Sequence, residues 1–382
     1  MSAKEARLSI VDLMNVPEAD HDIAWLRLAL QWAVELELAT LPPYLCARWS
    51  IHGDVQGPES ATSRLKTIAR DEMDHMGVAA NLLAAIGGTP NMRITPTYPS
   101  PVPGGVHPGL VVTLGALTET QLRLFMTIEE PEVALPKRAG EGETFATIGL
   151  FYEAILRAFL RINPELSAEG QVSAAAPVMR TLADVEREIK KIMEVGEGTS
   201  GSPYFGDKLA HHYQFGEILH RKKFVKTPTG GWDYIGADVP FPEGIYTLTS
   251  VASDEESKPF NEKFTEVLSK LQEAWTTRPD AFWESVGMMH QLAGPAQQLM
   301  ASGKWPSFKF LGDASSATMV QRAASTAPSV KARALSSAER TTTAPTRLAS
   351  FYELTLPSGH RIHLPEGFDE HELRRLLSVL AP

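Results

Sequence analysis

The sequence predicts an all-α fold built around a four-helix bundle. Three observations carry that expectation. Apolar residues recur at three- and four-residue spacing over several long stretches. Six prolines gather in one stretch, 89–110, which can only be a connection. Several of the apolar stripes carry a glutamate or a histidine on the line that should face the core.

The elements follow in chain order. Residues 22–51 read as a long helix interrupted by "LPPYL". Residues 60–86 read as a second helix, with Gly87-Gly88 as its stop. After the Pro-rich loop, helices are expected at about 112–129, 144–163, 174–195 and 207–223. The stretch "TPTGGWDYIGADVPFPEGIYTLTS" is irregular, and two more helices follow at 259–276 and 279–302. The composition changes at residue 313. The organisation predicted is a helical domain over 1–312, an Ala/Ser/Thr-rich linker over 313–348, and a small module over 349–382. In that module two alternating runs flank "PSGH" as in a β-hairpin, and "DEHELRRLLSVL" reads as an amphipathic helix.

Composition bounds the function. The chain has 382 residues, 43% of them hydrophobic and 21% charged, as in globular proteins. A net charge of −10 argues against a nucleic-acid surface. No run of apolar residues is long enough to span a membrane, and the N-terminus does not read as a signal peptide, so a cytoplasmic location is expected. Cys46 is the only cysteine, which excludes an intrachain disulfide and a cysteine-based metal cluster.

The motif Glu-x-x-His occurs three times. Glu18–His21 precedes the first helix without an apolar face and reads as structural. Glu72 and His75 share the line Ile68, Ala79, Leu82 and Ile86. Glu217 and His220 share the line Ala210, Tyr213 and Phe224. A carboxylate-bridged di-metal site in a four-helix bundle takes one Glu from each of two helices and Glu-x-x-His from each of the other two. Buried carboxylates are costly unless paired or bound to metal, and metal ions would neutralise them. Glu153, on the line Ala146, Leu150, Leu156 and Leu160, and Glu37, on the line Leu26, Leu30, Ala33, Leu41 and Tyr44, complete the pattern. Glu35 lies about 200° around the same helix from Glu37, on a less apolar line, and stands as a supporting group or as the alternative ligand. His211 and His212 are expected behind the ligands, and Glu129 and Glu130 near the surface.

The segments "ELELATLPPYLCARWSI", "IARDEMDHMGVAANLLAAIGGTP", "TIGLFYEAI" and "LAHHYQFGEILHRKK" resemble the ferritin-like domain of the iminophenylpyruvate dimer synthases of violacein and rebeccamycin biosynthesis. The resemblance covers roughly residues 20–302, and this chain is the shorter, stand-alone form. It implies a ferritin-like bundle with extra helices. By motif position it implies Glu37, Glu72, His75, Glu153, Glu217 and His220 as metal ligands. It further implies a di-iron, O₂-activating oxidoreductase acting on a small amino-acid-derived or aromatic metabolite, with specialised metabolism as the suggested setting and an electron donor as partner. Manganese, or manganese with iron, is the alternative metal content. Two other functions fit the same residues: a ferroxidase or iron-handling protein, and a binding or scaffold module recruited through 349–382.

Overall fold

A computed structural model describes residues 7–55, 57–94, 97–131, 147–196 and 202–312, together with the backbone of two strands further on. The chain divides into two compact units, Met1–Pro328 and Ser329–Pro382.

The described residues of the first unit form ten α-helices. They are α1 (Ile10–Met14), α2 (Ile23–Trp49), α3 (Ala61–Ala85), α4 (Glu119–Ile128), α5 (Ile148–Ile162), α6 (Leu182–Gly196), α7 (His211–His220), α8 (Asp254–Ala274), α9 (Ala281–Met289) and α10 (Ala293–Ala301). The strands among them are short and pair only in twos, so helix-on-helix packing carries the core. In α2 every residue from Ala33 to Tyr44 is buried, which makes this helix the axis of the bundle. Helix α3 runs beside it, α5 packs on α2 and α6, and α7 packs on α3, α4 and α6. No helix among the described residues is long and apolar enough to cross a membrane.

Local sequence sets the helix ends. Asp22 caps α2 by accepting from the Trp25 amide at 2.8 Å. At the end of α3, Gly87 takes a φ of +73° and the amides of Gly87 and Gly88 return to Ala84 and Leu83. That pattern satisfies the last carbonyls of the helix, and a residue with a Cβ would be strained at Gly87. Arg27 of α2 then donates twice to the Ile86 carbonyl and ties the two long helices together.

The structure corrects the expected break at "LPPYL". Helix α2 continues through Pro42 and Pro43. Pro43 has no N–H, so the Ala39 carbonyl one turn earlier loses its helical donor. The Tyr98 hydroxyl, from the Pro-rich loop, supplies it instead at 2.6 Å. The loop therefore completes the helix that its own prolines could not have formed.

The second unit is described only as strands Phe351–Thr355 and Arg361–Pro365, paired antiparallel with Tyr352 opposite Leu364 and Leu354 opposite Ile362. The expected linker over 313–348 and the expected C-terminal helix lie outside the described residues.

Candidate metal centre

Four helices bring acids and imidazoles to one buried spot. Helix α2 carries Glu37, α3 carries Asp71, Glu72 and His75, α4 ends on Glu129, and α7 begins at His211. None of the six is more than 5% exposed. Their donor atoms form two groups able to hold a metal ion, Glu37 with Glu72 and His75, and Glu72 with Glu129 and His211. Glu72 belongs to both.

The geometry is specific to individual oxygens. His75 Nδ1 lies 3.6 Å from Glu72 Oε1 and 3.8 Å from Glu37 Oε2. His211 Nδ1 lies 2.9 Å from Glu72 Oε1 and 3.7 Å from Glu129 Oε2. Neither Glu72 Oε1 nor His211 Nδ1 has a directed hydrogen-bond partner, although both are buried. Leaving two such atoms unpaired is costly unless something else satisfies them, and both are metal donors. The other ring nitrogen of His211 lies 3.1 Å from Asp71 Oδ2, which Lys208 Nζ also approaches to 2.5 Å. A histidine ligand held from behind by a carboxylate has its ring fixed and its free nitrogen aimed inward.

Charge is balanced internally. Burial, and then the nearby Glu72 charge, push the Glu37 carboxyl well above its ordinary value. Burial would also raise Glu72, but the adjacent His211 and His75 outweigh it and hold Glu72 well below its ordinary value. For His211, burial disfavours the cation, yet Asp71, Glu129 and Glu72 together raise it well above its ordinary value. The carboxylates around His211 thus favour its protonated form.

Only three of the six residues expected from the sequence meet here: Glu37, Glu72 and His75. The structure places the other three elsewhere. Glu153 of α5 is part-exposed and paired to Arg157 at 2.6 Å. Its neighbour Tyr152, one residue and about 100° away, is the one that turns inward and donates to Glu37. Glu217 is buried but belongs to Arg64 of α3, at 2.6 Å, and accepts the Phe224 amide at 2.8 Å. It lies about 9 Å further along the axis of α7 than His211. His220 is exposed at the end of that helix and stacks on Tyr234. Glu35 points away from the centre, to Arg7 at 2.6 Å and Gln31 at 3.0 Å.

Glu129 and His211 are not among the ligands expected from the sequence, and both left a signal there. Leu122, Phe125 and Glu129 fall on one line of α4 and are all buried, so Glu129 is not a surface residue. His211, Phe215 and Ile218 share a line of α7 on which every residue is fully buried. The line of Glu217 instead ends on exposed His220. On α5 the fully buried line is Tyr152, Ile155 and Phe159, whereas Leu160 on the line of Glu153 is 48% exposed.

A helical bundle with carboxylates and imidazoles converging from several helices defines a class, the bundles that hold metal ions in their core. A family model described as Ferritin-like matches residues 30–220, half of the chain and every residue that builds this centre. The chain belongs to the ferritin-like family. Its fold is similar to the crystal structure of a ferritin-like protein from Caulobacter vibrioides, at 20% identity and a TM-score of 0.53, over 74% of this chain and 97% of that one. Among curated proteins no match is found.

Proposed function

We propose that the chain is a di-iron protein that activates O₂ to oxidise a small amino-acid-derived or aromatic metabolite, with an external electron donor. The observation that carries the reading is Glu72, which serves two adjacent groups of buried donors at once. Carboxylate and imidazole together suit iron or manganese. When bound, two such ions supply the electrons and the Lewis acidity for reaction with O₂.

The protein's own residues do the rest. Glu37, Glu72 and His75 would hold one ion, and Glu72, Glu129 and His211 would hold the other. Asp71 fixes the tautomer of His211 by accepting a hydrogen bond from Nε2–H. Leu36, Ile148, Ile192 and Met193 line the small cavity beside Glu37 and His75 and give it an apolar wall. The likeness of "ATLPPYL", "DEMDHM" and "GGTP" to the iminophenylpyruvate dimer synthases supports the substrate class.

The test is anaerobic loading with ferrous iron, removal of excess metal, and exposure to O₂ with the optical spectrum and O₂ consumption followed. About two ions per chain are expected from two donor groups. Consumption of one O₂ per loaded centre without onward mineral formation supports the reading. Repeated uptake of iron far beyond the centre would make the protein an iron-handling ferroxidase instead.

A further inference from the structure

Each of the three carboxylates in the centre has one oxygen taken by a buried hydroxyl. Tyr152 donates to Glu37 Oε1. The Thr40 hydroxyl lies 2.8 Å from Glu72 Oε2 and 2.9 Å from the Glu37 carbonyl, which share its single proton. Tyr44 donates to Glu129 Oε1 at 2.5 Å. In every case the other oxygen is the one that faces an imidazole: Glu37 Oε2 and Glu72 Oε1 towards His75, and Glu72 Oε1 and Glu129 Oε2 towards His211. The three hydroxyls come from α2 and α5, and both tyrosines are fully buried.

Resting on the metal-binding reading above, we infer that Thr40, Tyr44 and Tyr152 are positioning residues that restrict each carboxylate to a single-oxygen ligand and so keep coordination positions open for an outside molecule. A carboxylate free of such a bond can turn both oxygens to one ion and occupy two positions. A hydroxyl donor on the outer oxygen opposes that rotation, because the turn would break a buried hydrogen bond and strand the carboxylate oxygen or the hydroxyl. Tyr44 is also fixed as a ring, edge-on to Phe125 at 4.7 Å and tilted on Phe215 at 5.1 Å, so its hydroxyl cannot follow a moving carboxylate.

The experiment uses the full chain loaded with cobalt(II), whose visible bands report coordination, and titrates it with azide, a small anion that needs an open position. Tyr152→Phe and Tyr44→Phe remove one oxygen each and keep the ring. Tyr98→Phe, which removes a hydroxyl that donates to a backbone carbonyl and not to a carboxylate, is the control. The expected result is an altered cobalt spectrum before azide is added, and azide affinity weaker by about tenfold or more in Tyr152→Phe and Tyr44→Phe, the size typical of losing a ligand's outer partner. The control should match the natural protein. Unchanged azide affinity and spectrum in both cobalt-saturated variants overturn the inference, as does a natural protein that takes cobalt but no azide. A natural protein that takes no cobalt in this centre overturns the metal reading itself. Should Tyr152→Phe fail to fold, Tyr44→Phe decides the matter on the second group.

Discussion

Glu72 Oε1 on α3 and His211 Nδ1 on α7 face each other across 2.9 Å, and neither has a directed hydrogen bond. Glu72 is therefore the residue on which both donor groups depend. Glu72→Gln should cut the metal content of ferrous-loaded protein from about two ions per chain to below about one, and His211→Ala should remove about one. Elemental analysis after desalting checks this. Full occupancy in Glu72→Gln would dismiss Glu72 as the shared ligand.

Glu217 answers differently. It is 2% exposed at its side chain and neutralises Arg64, itself 8% exposed. Glu217→Gln should keep the metal and lose stability, by about 3 kcal/mol, because a buried guanidinium is left with only the more exposed Glu59 as a carboxylate partner. Denaturant unfolding alongside metal analysis separates the two effects. Metal lost from Glu217→Gln at unchanged stability would move the centre down α7.

Metal binding should release protons. In the metal-free preparation both Glu37 and His211 have raised values, so each holds its proton to higher pH than the free side chain. A raised folded value means that the folded state binds the proton more tightly than the unfolded chain. That contribution is whole below the unfolded value, about 4.3 for Glu and 6.5 for His, and is lost as pH rises through the folded value. Glu72, whose value is lowered, contributes the opposite way and is lost on acidification below the ordinary carboxylate range. Chelator-treated protein should thus lose stability towards alkaline pH, whereas apparent metal affinity should rise with pH. Titration in weak buffer should detect protons released on metal uptake, and removing Glu37 or His211 should reduce that release. Metal uptake with no proton release contradicts this internal balance of charge.

Tyr98→Phe should destabilise the protein by about 1 kcal/mol or somewhat more, because the Ala39 carbonyl beside Pro43 loses the donor that replaced its helical one. Metal content should not change. Thermal unfolding of the metal-free form checks it, and an unaltered midpoint would mean that water satisfies that carbonyl equally well.

Residues 68–86 are legible in the sequence because a regular helix converts spacing directly into facing, so the three-residue step alone puts Glu72 and His75 side by side. Glu37 separates from Glu35 in the same way, by the apolar line each keeps. Spacing does not decide where two lines on one helix are both partly apolar. On α5 the choice lies between Glu153 and Tyr152, one residue apart, and on α7 between the line of Glu217 and the line of His211. A stripe shows which residues can be buried, and neighbouring helices decide which are.

The sequence by itself determined the helical class, the long helices of the bundle and half of the buried Glu/His cluster, because those depend on repeats read within one helix. Tertiary structure alone decided the other half. Glu129 enters because α4 ends against the bundle, and His211 enters because α7 brings its first residue beside Asp71 and Glu72 of α3. Arg64 removes Glu217 from candidacy by reaching it from a residue 153 positions away in sequence. A buried charge takes the partner that lies nearest in space, and that distance is set by how helices pack and where each one ends.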